Sequence, residues 1–138
     1  MNKKNNTKLT IKKVLIIDDE VVIGEMLSDI LELKGFDVCV ACSGREGLAR
    51  VEEFKPDIIM LDLNMPGMDG FSVLEHLKRN KKTANIPVLI ASISDNGSDI
   101  KKGYVMGAQK YFIKPFSPEM LLHAIDEMHM EKKYKNKV

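Results

Sequence analysis

The amino-acid sequence predicts an α/β fold: a three-layer, doubly wound sheet of five parallel strands flanked by five helices. Three observations carry that prediction. Short apolar runs alternate along the chain with segments whose apolar residues recur at helical spacing. Runs such as "VLIID" (Val14 to Asp18) and "DIIMLD" (Asp57 to Asp62) are continuous rather than alternating, the pattern of strands covered on both faces. Several of the runs end on a carboxylate, a hydroxyl or an ammonium group.

Each element has its own signal. Val14 to Asp18 is the first strand. In "VVIGEMLSDILELKGF", Val22, Ile23, Met26, Leu27, Ile30 and Leu31 mark a helix that Gly35 stops. Phe36 to Ala41 is the second strand. "SGREGLARVEEF" opens on Ser43 and Glu46, an S-x-x-E capping box, and Pro56 ends that helix. Asp57 to Asp62 is the third strand, and Gly70 to Arg79 a helix with Phe71, Leu74 and Leu77 toward the core. Ile86 to Ser92 is the fourth strand, with Pro87 at its start, where a missing N–H is tolerated. "GSDIKKGYVMGA" is a helix weakened by Gly97, Gly103 and Gly107. "KYFIK" is the fifth strand. In the last helix Ser117 is the cap, Pro118 and Glu119 suit the first turn, and lysines close the end.

The chain's 138 residues suit one domain at 12–130, with an N-terminal extension (1–11) and a basic tail (131–138) that read as solvated. A net charge of +1 gives no bulk attraction to nucleic acid. No apolar run approaches the 18 or so residues that span a bilayer. The polar, basic N-terminus lacks the apolar core of a secretory signal, so a cytoplasmic protein with no membrane partner is expected. Cys39 and Cys42 are spaced C-x-x-C. They lie in and after a strand, with no second pair to complete a zinc site, and read as small apolar residues.

Ligands of an open parallel sheet bind beyond the C-terminal ends of its strands, where strand order reverses. There the sequence places Asp18 and Asp19 at the end of the first strand with Glu20 next, Asp62 on the third, Ser92 on the fourth and Lys114 on the fifth. A lone strand-end aspartate is an ordinary turn residue. Clustered carboxylates repel one another, and a hard cation offsets that repulsion. Mg²⁺ takes one or two carboxylates and completes its shell with water and phosphate oxygens. An acidic cluster with one lysine therefore suits metal-assisted phosphoryl transfer. Neither a P-loop nor a G-x-G-x-x-G is present, there is no G-x-S-x-G elbow, and His76, His123 and His129 all fall in helices.

Taken together, "LIIDDE", "MLDLNMPGMDG", "PVLIAS" and "KYFIKPF" resemble the receiver domain of bacterial two-component response regulators, of the stand-alone, chemotaxis-regulator-like kind. The resemblance spans about residues 12 to 130 and implies the flavodoxin-like strand order 2-1-3-4-5. It implies that Asp62 accepts a phosphoryl group from a histidine kinase or a histidine phosphotransfer protein. It makes Asp19, Asp62 and the backbone carbonyl of Asn64 ligands of Mg²⁺, with Asp18 acting through a water. Lys114 would pair with Asp62 at rest and with the phosphoryl group afterwards. Ser92 and Tyr111 match the switch pair that alters the face of the fourth helix, fifth strand and fifth helix. Ile93 stands where the family usually has a small residue, and is expected to restrict access to the site. With nothing resembling a DNA-binding domain after residue 130, output is expected to pass to an unknown protein target. An aspartate-based phosphatase and a receiver-like module that is never phosphorylated are the alternatives. Asn64 argues against the first, because such phosphatases use a carboxylate two residues after the nucleophile. The full set of Asp18, Asp19, Asp62 and Lys114 argues against the second.

Overall fold

The computed structural model describes residues 11–137, with side-chain surroundings as far as residue 129. The expected N-terminal extension, apart from Ile11, and the side chains of the expected basic tail lie outside the described residues. Strands β1 (Lys13–Ile17), β2 (Asp37–Ala41), β3 (Ile58–Asp62), β4 (Val88–Ser92) and β5 (Lys110–Ile113) alternate with helices α1 (Val21–Leu33), α2 (Gly44–Phe54), α3 (Gly70–Arg79), α4 (Gly97–Val105) and α5 (Pro118–Lys137). The sheet order is β2-β1-β3-β4-β5 and every neighbouring pair is parallel. The expected flavodoxin-like order and the five-helix complement are both present. No helix among the described residues is long and apolar enough to cross a membrane.

The continuous apolar runs make sense once both faces of the sheet are covered. Val14, Ile16, Met60 and Leu89 point to one side, where Leu27 and Leu31 of α1 and Leu121 and Ile125 of α5 pack on them. Leu15, Ile17, Leu61 and Ile90 point to the other, against Val51 of α2 and Leu74 and Leu77 of α3. Every residue of β3 and β4 is buried. Burial of this kind contributes about 25 cal/mol per Å² of apolar area, so the central strands are the rigid frame on which the loops at their ends are held.

Helix starts follow the local chemistry. Ser43 Oγ accepts the Glu46 N–H at 3.1 Å, and the Glu46 carboxylate accepts the Cys42 N–H in return. Asp69 caps α3 by accepting the Ser72 N–H at 2.9 Å. Asn96 caps α4 through the Ser98 N–H at 2.8 Å. Helix α4 is held lightly: Gly103 is its one buried residue. That glycine has a packing reason beyond low helix propensity. A Cβ there would lie 2.8 Å from Ile90 Cδ1 and 3.4 Å from the Tyr111 ring.

One connection fixes the geometry of β3's end. Gly70 begins α3 with its N–H donating to the Leu63 carbonyl at 3.0 Å. A Cβ on Gly70 would sit 2.3 Å from the Asp62 carbonyl oxygen and 2.6 Å from Leu63 Cα. Both are backbone atoms and cannot swing aside. Gly70→Ala should therefore lower stability by about 1–3 kcal/mol, although the same change usually favours a helix. Urea unfolding checks this; an unchanged midpoint would mean that the β3–α3 loop gives way without cost.

Candidate functional site

The strand order reverses between β1 and β3, so the crevice lies where these two strands end. Asp18 and Asp19 follow β1 and Asp62 ends β3. Their carboxylates present oxygens that all lie within 4.8 Å of one another. Asp18 and Asp62 are buried and Asp19 is half-buried. Asp18 Oδ1 accepts the Glu20 N–H at 2.9 Å. Asp62 Oδ1 accepts the Asn64 N–H at 3.2 Å. Asp18 and Asp62 are thus each positioned by the loop that follows.

Lys114 arrives from β5, two strands away from β3, a separation of about 10 Å that only a long side chain crosses. The ends of β4, Ala91 and Ser92, are small and leave room for it. Its backbone N–H donates to the Ser92 carbonyl at 2.8 Å, which fixes its start. The ammonium donates to Asp18 Oδ2 at 2.9 Å and to Glu20 Oε1 at 3.2 Å, and lies 3.7 Å from Asp62 Oδ1. The expected resting pair with Asp62 is therefore the longest of three contacts. Burial alone would lower the Lys114 pKa; the Asp18 hydrogen bond and the nearby charges of Asp62 and Asp18 outweigh it and raise it.

Burial pushes the Asp62 pKa up to about 6, with Asp18 and Asp19 adding to the rise and the Asn64 N–H and Lys114 opposing it. Burial thus disfavours the ionised form of Asp62, and an added positive charge beside it would favour that form.

Ser92 is fully buried, and its hydroxyl donates to Asn64 Oδ1 at 2.8 Å. Tyr111 is half-buried, and its hydroxyl donates to the Ser94 carbonyl at 2.9 Å. Ile93 is 71% exposed. It lines a groove of about 360 Å³ with Glu20, Lys114, and Ile23 and Met26 of α1. Ile23 and Met26, both exposed, line the groove beside Leu27 and Ile30, so part of the apolar stripe read from α1 faces this groove. The sequence offered no way to divide that stripe. Cys39 packs half-buried against the sheet and Cys42 is exposed; both are free.

A doubly wound sheet of this order, with an acidic cluster and a lysine at its switch point, defines the flavodoxin-like class of α/β domains. Within that class, the chain belongs to the response regulator receiver domain family, whose pattern matches residues 14–126. It is a two-component phosphoacceptor signalling domain and not an enzyme in the usual sense. The chain is 42% identical over 110 residues to the DNA-binding dual master transcriptional regulator RpaA of Synechocystis, covering 80% of this chain and 46% of that protein. It is 37% identical over 113 residues to Protein PilG of Pseudomonas aeruginosa, covering 82% of this chain and 84% of that one. Among solved structures it is similar to the chemotaxis response regulator CheY4 of Vibrio cholerae, with a TM-score of 0.79 and 33% identity, covering 86% of this chain and 99% of that one. A CheY-like receiver domain protein from Methanospirillum hungatei gives a TM-score of 0.83 at 27% identity, covering 91% and 99%.

These relatives correct one expectation. The chain spans about half the length of RpaA and of the DNA-binding response regulator MtrA of Mycobacterium tuberculosis. Receivers this similar thus belong to proteins named as DNA-binding, and the expectation of a regulator without a DNA-binding domain is withdrawn. A receiver site carries no mark of its output, so nothing in residues 12–130 supported that expectation.

The Asp62 shift fixes a pH dependence for the metal-free protein. Unfolded Asp62 titrates near 3.8 and folded Asp62 near about 6. Between the two the folded state holds the extra proton, so stability falls as pH rises through this window. Above the window the deficit is complete, on the order of 2–3 kcal/mol. Asp62→Asn removes the ionisation. Its gain in urea midpoint over wild type should be small near pH 4 and full by pH 7.5; a gain that does not change with pH would assign the destabilisation to another source.

Proposed function

We propose that Asp62 is the phosphoacceptor and that the site works with Mg²⁺. The observation that carries this reading is the meeting of three carboxylates and the Lys114 ammonium at the β1–β3 crevice. The donor set is all oxygen and its carboxylate charge exceeds the single nearby ammonium, which fits a hard divalent cation. Asp19, Asp62 and the Asn64 carbonyl would hold it, and Asp18 would hold one of its waters. Bound there, Mg²⁺ supplies positive charge to the phosphoryl oxygens and offsets carboxylate repulsion.

The remaining work falls to the chain's own groups. An Asp62 carboxylate oxygen forms the new P–O bond as the N–P bond of a phosphohistidine breaks. The electron pair of that bond returns to the imidazole nitrogen. Such transfer depends on positioning and charge neutralisation more than on covalent machinery. Lys114, already 3.7 Å from Asp62, pairs with a phosphoryl oxygen. The Ser92 hydroxyl donates to another, drawing in the loop after β4, and Tyr111 follows. The face of α4, β5 and α5 changes with them. Water later attacks phosphorus, the bond to Asp62 breaks, and phosphate leaves. Ile93, on the wall of the groove beside Lys114, restricts the approach of donor and water. The switch operates in the cytoplasm.

Acetyl phosphate with Mg²⁺ should add one phosphoryl group to the wild-type chain and none to Asp62→Asn, read by intact mass. Absence of the adduct in wild type with every phosphodonor tried, a histidine kinase included, would sink the reading. Ile93→Ala should keep the labelling site and shorten the lifetime of the phosphoryl group severalfold. An unchanged lifetime together with an unchanged range of donors would remove Ile93 from the access path.

A further inference from the structure

Asn64 has a side-chain contact that the chemistry above leaves unexplained. It is exposed on the loop leaving β3, yet its Oδ1 reaches 28 positions along the chain to accept the Ser92 hydroxyl at 2.8 Å. A serine hydroxyl has one proton. Here that proton is committed to Asn64, while Ser92 Oγ accepts the Ser94 N–H at 3.0 Å. A side chain serving only its own turn would bond within that turn.

Ser94 is the joint on the far side. Its carbonyl accepts the Tyr111 hydroxyl at 2.9 Å. Its own hydroxyl donates to Asp99 Oδ2 at 2.7 Å, in the first turn of α4, and accepts the Asn96 N–H at 3.3 Å. Successive hydrogen bonds therefore join Asn64 to Ser92, Ser92 to Ser94, and Ser94 to both β5 and the start of α4.

We propose that the Asn64 side-chain amide is the resting latch of the switch: it holds the one proton that a phosphoryl oxygen on Asp62 must capture, and so sets how far phosphorylation moves the β4–α4 loop. This rests on the reading of Asp62 as phosphoacceptor and deepens it. Asn64's side chain is a positioning group, acting through Ser92 on the phosphoryl oxygen. Its exposure makes the exchange reversible, because the released amide oxygen finds water when Ser92 turns away. The relay beyond Ser94 carries the change to α4, the helix with a single buried residue.

A double-mutant cycle on the whole chain separates a latch from a merely structural role. Wild type, Asn64→Ala, Ser92→Ala and the double variant keep the same backbone groups at both positions. Without metal or phosphate mimic, the Ser94 amide and Tyr111 ring NMR signals should shift in Asn64→Ala. Adding Asn64→Ala to Ser92→Ala should move them no further. With Mg²⁺ and beryllofluoride as phosphate mimic, Asn64→Ala should bind the mimic severalfold more tightly where Ser92 is present and equally where it is absent. No tightening, or the same change in both backgrounds, overturns the latch. If wild type itself binds no beryllofluoride, the phosphoacceptor reading fails separately, and unmoved Ser94 and Tyr111 signals in the metal-free protein overturn the latch on their own.

Discussion

The mutual repulsion of three carboxylates at one crevice is the constraint on which the rest of this structure depends. Asp18, Asp19 and Asp62 present oxygens within 4.8 Å of one another, and a single ammonium lies among them. Left to relax, such groups would turn outward into water. They are prevented because β1 and β3 pair directly, in register from Val14 with Ile58 to Ile17 with Leu61, and are covered on both faces. The loop geometry completes the hold: Glu20 and Asn64 bind the carboxylates through their N–H groups, and Gly70 lets α3 begin hard against the Asp62 carbonyl. The fold thus spends hydrophobic stability to keep an electrostatically unfavourable arrangement in place, which is a common sign of a site shaped for a ligand of opposite charge.

Much of this was legible in the sequence because its signals are local. Continuous apolar runs reported strands covered on both sides. The Ser43–Glu46 box marked the start of α2, and Gly70 and Arg79 bounded α3 as read. The charged strand ends reported the site, because in a parallel sheet every C-terminal end faces the same edge. What was not legible depended on distances across the sheet. Lys114 donates to Asp18 and Glu20 and lies farther from Asp62. Gly103 reads as a weak point in a helix, yet it is the contact through which α4 meets Ile90 and Tyr111. His129 shows in the sequence only as a helix residue, while in the structure its Nε2 accepts the Ile11 N–H and ties the start of the described chain to α5. Each of these needs a partner far away in sequence, and periodicity carries no information about partners.

Output is a different matter, because the chemical centre says nothing about it. The relatives that match over this region include proteins named as DNA-binding, while the solved neighbours include a chemotaxis regulator of receiver length. All match over the receiver region, and their names describe different outputs. What differs among such proteins must lie in the surfaces away from the crevice, or in chain beyond the receiver. The +1 net charge could not decide this, since a domain's own charge does not report what is joined to it.

The size of the proposed switch would follow from the hydrogen bond that it exchanges. At rest the Ser92 proton sits in a neutral bond to Asn64 at 2.8 Å, of a kind worth about 0.5–1.5 kcal/mol net. A bond to a charged phosphoryl oxygen is roughly twice as strong. The difference is about 0.5–1.5 kcal/mol, which shifts a two-state equilibrium by roughly two- to thirteenfold. That is far less than a complete reversal from one population to the other, which takes about 5.5 kcal/mol. On the proposed exchange, a single hydroxyl would bias the β4–α4 loop but would not lock it. Full commitment needs further energy, and α4 is placed to receive it. Only Gly103 of that helix is buried, and Lys102 rests its ammonium over the Phe71 ring at 4.3 Å in place of deeper packing. A helix held this lightly costs little to move, so a partner bound to its face can supply the energy that the hydroxyl lacks. By linkage the same partner would then favour the phosphorylated form.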